Sequence, residues 1–484
     1  MFNQTTMNKS FCAMLLVIGM WIAPDCRSQS KLNTVSLTCA DSLGKSTQVS
    51  IGLFSALTGS QQPIAEMTPQ GTTPVTSSFP LKSPQFAFLR FGDELHTLYI
   101  RPGEQLSIHL DLTQKQTTLA FTGQGAEANS YLAETYLIQR QFEKVFFSLP
   151  LPAAFQRLDS LDKALLLFDQ TYAQRSRITP NVLTLLRKQG QIRILSLKLN
   201  ILLSRYGGGQ DTTVVTPMVQ IIKQVPFDPT LLAARSLDYF NSLYSYLKVR
   251  MMLDLSANFT KEEITANRPR LPLITDELIK KWPLTPTFTQ YIRANNLIQW
   301  IGQQGITPAT TDILTAYRKE YPQSVYLVEL QKSYDKWLVL KVGQKAPDFT
   351  GTTLDGERIS LSNLKGKVVY VDVWATWCQP CLSEFPSAKQ LQQAFLPTDQ
   401  VVFLYVSIDS NQADWKKLVR TDKVPSGYHI NIFDQKQDDQ FHKSYVISGV
   451  PRYILIDKQG NIVNPDAPKP SSKDIEKAIR VLLQ

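Results

Sequence analysis

Two cysteines separated by two residues, Cys378 and Cys381, have the spacing of a reactive dithiol. They follow an apolar run, residues 368–374, that is typical of a buried strand. If a helix begins at Cys378, unpaired backbone N–H groups and the helix dipole favour its thiolate and lower the thiol pKa. Pro380 suits a first helical turn, and Cys381 lies on the same helix face, within reach of a disulfide. The pattern predicts redox chemistry at a strand-to-helix junction.

The same cysteine spacing also occurs in other kinds of site. A zinc site needs two further ligands at short spacing, and the nearest downstream histidines, His429 and His442, have no ligand-spaced partner. A c-type haem site needs histidine after the second cysteine, where this chain has Leu382. A purely structural disulfide stays open as the alternative. We expect no metal and no cofactor.

Two carboxylates accompany the pair. Asp372 interrupts the apolar strand, where burial would raise its pKa, so that it could take the proton of Cys381. The alternative is a structural carboxylate that a nearby donor satisfies. Glu384 lies one turn past Cys381 and could tune the thiols, although helix polarity alone favours an acidic residue there. We assign catalytic roles to both carboxylates together with the two cysteines.

A longer stretch around the cysteines resembles a known family. Residues 371–381, Val-Asp-Val-Trp-Ala-Thr-Trp-Cys-Gln-Pro-Cys, are followed by Glu384 and Pro386 and look like thioredoxin-fold proteins of the TlpA/ResA type. The likeness extends over residues 342–484 and includes the opening Gly-Gln-Lys-Ala-Pro-Asp-Phe at 343–349. The resemblance implies a thioredoxin fold with thiol:disulfide oxidoreductase activity.

The resemblance also assigns roles to single residues. Cys378 would attack the substrate and Cys381 would resolve the mixed disulfide. In the family, the proline that matches Pro451 is cis and packs against the dithiol, which implies the same here. Trp377, Val450 and Pro451 would contact the substrate, with substrate backbone docking at Val450.

The N-terminus has the pattern of a secretory signal peptide. Lys9 precedes an apolar stretch at 11–23, and polar residues follow at 26–30, so we predict a signal peptide over residues 1–29. No later run reaches transmembrane length, and we expect a mature chain without a membrane span in the periplasm or cell envelope. Lipid attachment at Cys26 is the weaker alternative. Cys39 lies in an apolar stretch and is expected to be a buried small hydrophobe.

The chain of 484 residues is long enough for about three domains. Short alternating runs at 30–125 predict a β-sandwich, with His109 on the solvent side. This part also resembles, more loosely, domains that precede thioredoxin folds in some Gram-negative envelope proteins. Residues 126–338 have helical periodicity, and 339–484 form the thioredoxin-like domain. The predicted short strands include 48–54, 86–91, 97–101, 105–112 and 118–122, and the long helices are 126–147, 182–206, 230–255 and 287–304. Thr-Pro pairs at 179, 216, 285 and 307 each suit a helix start.

These features predict an extracytoplasmic thiol:disulfide oxidoreductase. The expected partners are envelope proteins with disulfides or thiols and an upstream membrane electron donor; the net charge of +10 is scattered, so we expect no nucleic acid. The direction of electron flow depends on the reduction potential of the pair, and disulfide reduction is the expected one. A thiol peroxidase is the rival enzyme, although Ala375 stands where its Thr-x-x-Cys site has threonine. The other rival is a peptide- or glycan-binding protein with a vestigial dithiol.

Overall fold

The structure, a computed structural model, describes residues 31–40, 48–69, 73–113, 118–143, 146–206, 211–433 and 437–484. The predicted signal peptide and Cys26 lie outside the described residues. Two compact units make up the rest: the first contains the described residues up to 54 together with 60–204 and 228–239, and the second contains 55–59, 205–227 and 240–484.

The first unit contains eight strands in two four-stranded sheets. The strands are β1 Lys31–Ala40, β2 Val49–Phe54, β3 Gln61–Met67, β4 Val75–Leu81, β5 Gln85–Phe91, β6 Glu94–Ile100, β7 Gln105–Asp111 and β8 Thr118–Gly123. One sheet has the order β4-β1-β7-β8 and the other β3-β2-β5-β6. Side chains of both sheets, such as Leu37 and Ile108 of one and Ile51 and Leu89 of the other, share a single core. This arrangement confirms the predicted β-sandwich.

Three of these strands, β1, β3 and β4, were not among the predicted strands. Strands β3 and β4 are edge strands that contain Pro63 and Pro80, which an edge tolerates because it needs fewer ladder hydrogen bonds. Proline and exposed polar residues obscured the strand pattern there. As predicted, His109 is exposed and Cys39, on β1, is buried.

Eleven helices follow the sandwich within the described part of 126–340. They are α1 Ala126–Glu143, α2 Leu151–Arg175, α3 Pro180–Tyr206, α4 Val215–Ile222, α5 Pro229–Ala233, α6 Leu237–Asn258, α7 Lys261–Ala266, α8 Leu271–Lys280, α9 Pro286–Gln304, α10 Pro308–Glu320 and α11 Leu327–Trp337. The central helical region is therefore as predicted. Over the described residues, no helix is both long enough and apolar enough to cross a membrane.

Two local predictions in this region were wrong. The single helix expected at 230–255 is divided into α5 and α6, because Arg235 takes a left-handed conformation with φ of 55°. The pair Thr216-Pro217 does not start a helix, since α4 already begins at Val215. At Thr307 the expected cap is present: its hydroxyl accepts a hydrogen bond from the backbone N–H of Thr310, at 3.2 Å.

The C-terminal part contains a seven-stranded mixed sheet of order β10-β9-β13-β12-β11-β14-β15. Its elements are β9 Thr350–Thr352, β10 Arg358–Ser360, β11 Val368–Trp374, α12 Gln379–Gln393, β12 Val401–Ser407, α13 Gln412–Val419, β13 Tyr428–Asn431, α14 Gln437–Ser444, β14 Arg452–Ile456, β15 Ile462–Asn464 and α15 Lys473–Leu483. Strand β11 is buried along its whole length, parallel to β12 and antiparallel to β14. One core joins Tyr370 of β11 with Phe385 of α12 and Ile479 of α15. This is the predicted thioredoxin-like fold, and it places the start of α12 just after the end of β11, an inner strand of the sheet.

Candidate active site

The two cysteines lie at the junction of β11 and α12. Cys378 is the N-cap residue of α12, and Pro380 lies in the first turn, as the sequence predicts. The two sulfur atoms are joined in a disulfide, and the Cα atoms are 5.3 Å apart. The Cys378 Sγ accepts a hydrogen bond from the backbone N–H of Cys381, at 3.2 Å. A thiolate at Cys378 would receive the same N–H bond and the favourable helix dipole.

The loop between β11 and Cys378 is fixed by a buried carboxylate. Asp409, which is 2% exposed, accepts hydrogen bonds from the backbone N–H of Thr376, at 3.0 Å, and from its hydroxyl, at 2.7 Å. Ser407 at the end of β12 donates a further bond to Asp409, at 2.9 Å. Asp409 therefore holds the loop that leads into the cysteines.

Asp372 is buried on the face of β11 that packs against α12. Alternate residues of a strand share a face, and Tyr370 and Trp374, on either side of Asp372, belong to the core that contains both cysteines. Asp372 is 2% exposed, and its Oδ1 has no hydrogen-bond donor among the described residues. Burial, and secondarily the negative charge of Glu384, raises the pKa of Asp372 to about 8. This carboxyl can therefore bind or release a proton near neutral pH.

Two tyrosines flank Asp372 in the sheet. Tyr405 on β12 and Tyr453 on β14 pair with Asp372 across the adjacent strands, and both are buried. Within the described residues, neither hydroxyl has a hydrogen-bond partner. The described surroundings of Asp372 are thus aromatic, and no cation among the described residues offsets the effects of burial and of Glu384 on its pKa.

Glu384 has the opposite environment. Its carboxylate accepts hydrogen bonds from the Lys469 ammonium, at 2.7 Å, and from the backbone N–H and hydroxyl of Ser471, both at 3.0 Å. Burial raises the pKa of Glu384, but the bonds from Lys469 and Ser471 together outweigh it and leave this pKa below its ordinary value. Glu384 is therefore an anion near neutral pH, one helical turn from Cys381.

The residues expected to contact substrate have different surroundings. Trp377 is 68% exposed immediately before Cys378. The Val450–Pro451 peptide bond is cis, as the family resemblance implied, and Val450 packs against the core that contains both cysteines. An exposed indole next to the disulfide can contact an approaching polypeptide.

Sequence reasoning missed three residues of this site: Lys469, Ser471 and Asp409. Lys469 and Ser471 lie 85 and 87 residues after Glu384, and Asp409 lies 33 residues after Thr376. No periodicity or spacing connects positions so far apart. Within the described residues, no group of three or more His, Cys, Asp or Glu side chains could hold a metal ion.

The arrangement can transfer two electrons as a dithiol and a proton as an acid or base. A thiolate at the N-cap supplies the nucleophile, a second thiol one turn away closes the disulfide, and a buried carboxyl titrates near neutrality. These are the requirements of thiol–disulfide exchange.

Comparison with known proteins gives a consistent result for this part of the chain. The family model Redoxin matches residues 341–481. The thioredoxin-like protein YneN of Bacillus subtilis is 30% identical over 152 residues, which are 31% of this chain and 86% of that protein. The thiol-disulfide oxidoreductase ResA of Bacillus cereus is 25% identical over 152 residues, 31% of this chain and 83% of that protein. A crystal structure of a putative thiol-disulfide oxidoreductase from Bacteroides vulgatus is 36% identical, with a TM-score of 0.28, and the match covers 30% of this chain and 99% of that one. The chain belongs, through its C-terminal part, to the thioredoxin-like thiol-disulfide oxidoreductases.

Proposed function

We propose that this enzyme is an extracytoplasmic disulfide reductase that acts on envelope proteins through Cys378 and Cys381. The observation that carries the proposal is the dithiol at the start of α12, beside one carboxyl whose pKa lies near neutrality and one that is an anion. Such an enzyme exchanges its two cysteine thiols for the disulfide of a substrate.

The reaction begins with the reduced enzyme. The Cys378 thiolate attacks one sulfur of the substrate disulfide, which forms a mixed disulfide and releases the other sulfur as a thiolate. Cys381 then loses its proton and attacks the Cys378 sulfur, which releases the second substrate thiolate and leaves the Cys378–Cys381 disulfide. Two electrons pass from the enzyme to the substrate, and both substrate sulfurs end as thiols once protonated.

Asp372 is the proposed acceptor of the Cys381 proton. Its pKa of about 8 is close to that of an ordinary thiol, so the fraction of Asp372 that is ionised near neutral pH can take the Cys381 proton at little cost. Glu384 is less suited to this role, because Lys469 and Ser471 already occupy its oxygens and lower its pKa. We assign Glu384 to electrostatic tuning of the thiols, and Trp377, Val450 and Pro451 to substrate contact.

The charges near the pair support the direction of electron flow. A neighbouring anion disfavours a thiolate, and a couple whose reduced form is less stable has a lower, more reducing potential. Glu384 is such an anion, one turn from Cys381. Asp372 adds a second negative charge when it ionises, so the two carboxylates together favour a reductase.

The proposal also includes the place of action and the partners. The signal-peptide pattern at 1–29 supports export to the periplasm or cell envelope, where a membrane electron donor would return the Cys378–Cys381 disulfide to the dithiol. The proposed domains are 30–125, 126–338 and 339–484. The last of them is the redox domain.

Insulin reduction tests this function. The mature protein, with dithiothreitol as electron source, should reduce insulin disulfides, and Cys378→Ser should abolish the activity. The potential of the couple in redox buffers gives the direction. Equal turnover by wild type and Cys378→Ser would disprove the assignment, and hydrogen peroxide consumption at a comparable rate would point to a peroxidase instead.

A further inference from the structure

Arg452 directly follows the cis proline Pro451 and starts strand β14. Its side chain is only 11% exposed, and its one described hydrogen bond goes from Nη1 to the Asp466 carboxylate, at 3.3 Å. Nε and Nη2 have no acceptor among the described residues. An arginine buried with so few hydrogen bonds needs another source of stabilisation.

An aromatic ring supplies that stabilisation. The Arg452 guanidinium lies over the ring of Trp337, 4.9 Å from the ring centroid, a distance at which a cation is attracted by the ring face. Trp337 is the last residue of α11 and is 2% exposed. The contact joins the helical part of the second unit to the first residue after the cis proline.

The surrounding residues hold Trp337 in place. Gly305, which ends α9 with φ of 72°, packs so closely that a Cβ there would lie 2.8 Å from Trp337 Cε3 and 3.4 Å from Pro465 Cγ. Asp466, next to that proline, also lies 3.7 Å from the Arg268 guanidinium of the helical part. Trp337 and Arg452 are therefore both held by close neighbours, Trp337 by Gly305 and Arg452 by Asp466.

We propose that Trp337 positions the substrate-docking segment Val450-Pro451 by stacking on Arg452, so that the helical part sets how tightly the enzyme binds protein substrates. This inference rests on the proposed role of Pro451 in substrate contact. Trp337 and Arg452 act as positioning residues and take no part in the electron transfer itself. Loss of the stacking should raise KM for a protein disulfide and leave both the chemistry and the redox couple unchanged.

The test uses the full mature chain in three forms besides wild type. Arg452→Lys keeps the charge but loses the planar group that stacks, and Trp337→Leu removes the ring while staying apolar. Arg175→Lys is the matched control, because Arg175 belongs to the first unit and its guanidinium lies over the ring of Tyr172, 4.8 Å from the ring centroid. If Trp337→Leu does not fold, Arg452→Lys still decides the question.

Each form is assayed for kcat and KM with insulin, for its rate with a small aromatic disulfide, for reduction potential and for melting temperature. We expect about a tenfold lower kcat/KM with insulin for Arg452→Lys and Trp337→Leu, mainly through KM, with an unchanged potential and small-disulfide rate. Arg175→Lys should match wild type. A wild-type KM in both variants, or an equal loss of rate with the small disulfide, would overturn the inference. If the proposed function itself is wrong, a different result is expected: Cys378→Ser would reduce insulin as well as wild type does.

Discussion

Lys469 donates a hydrogen bond to Glu384 across 85 residues of chain, with 2.7 Å between Nζ and Oε1. The Lys469 side chain is 59% exposed, so the pair by itself adds little to stability. The Lys469–Glu384 pair acts mainly on the ionisation of Glu384. Together with Ser471 it keeps Glu384 ionised, and that negative charge adds to burial in raising the pKa of Asp372. The two carboxyls are thereby given different protonation states at the same pH.

Glu384→Gln should make the redox couple more oxidising. The substitution removes the anion next to Cys381. Without that negative charge the thiolate is more favourable, and the reduced form of the couple is more stable. The pKa of Asp372 should fall, since burial remains but the charge of Glu384 is lost. The measurement is the reduction potential in redox buffers. Ser471→Ala is the control that keeps the carboxylate, and a potential that shifts equally in both variants would contradict the charge argument.

Cys381→Ser should trap substrates. Cys378 can still attack, but the mixed disulfide persists because the resolving thiol is missing. Trapped adducts should be envelope proteins released by dithiothreitol and absent from a Cys378→Ser, Cys381→Ser double variant. The roles of the two thiols are reversed if alkylation of the reduced protein at neutral pH labels Cys381 before Cys378.

Asp372→Asn should stabilise the protein increasingly as pH rises from about 4 to 8. The unfolded carboxyl ionises near pH 4, whereas the folded one keeps its proton up to about 8. Between these values the folded protein binds more protons, so the free energy of unfolding of the wild type falls with pH. The variant lacks this loss, and its advantage levels off above pH 8, with an upper limit of about 6 kcal/mol.

Denaturant unfolding at pH 5 and pH 8 checks this difference, and Asp409→Asn is the matched control. Asp409 is as buried as Asp372 but accepts bonds from Thr376 and Ser407. Its substitution should destabilise the protein at both pH values, by about 1–3 kcal/mol. A clear loss of stability in Asp372→Asn at pH 8 would instead mean that Asp372 is a structural hydrogen-bonding residue.

Asp372→Asn should also slow resolution. The variant lacks a base for the Cys381 proton, so the step in which Cys381 displaces the partner should need a higher pH. The measurement is single-turnover release from a preformed Cys378 mixed disulfide, followed across pH in wild type and variant. Identical release rates and pH profiles would rule out Asp372 as the proton acceptor.

The parts of the site that depend on neighbours in sequence could be predicted from the chain. The helix start at Cys378 follows from Pro380 and from the apolar strand before it, because caps and first turns are decided within a few residues. The burial of Asp372 follows from the apolar residues around it in β11. Whether a segment forms a helix or a strand was predictable because that choice also depends mainly on residues close in sequence.

The partners of those residues could not be predicted. Asp409 reaches Thr376, and Ser471 reaches Glu384, only after the sheet and α15 are assembled. Edge strand β3, with Pro63 and exposed polar residues, gains its pairing from β2 and not from its own pattern. The break at Arg235 has no glycine to mark it, and a left-handed arginine requires support from its surroundings.

The donors of Glu384 have a consequence for the order in which the site forms as the chain emerges. Synthesis proceeds from the N-terminus, so Cys378 and Cys381 emerge before Lys469 and Ser471, which lie 85 and 87 residues after Glu384. During that interval the thiols have neither a fixed anion beside them nor a folded strand that buries Asp372. A nascent chain therefore carries the dithiol before the contacts that set the charge of Glu384 exist, and those contacts form only after residues 469–471 have emerged.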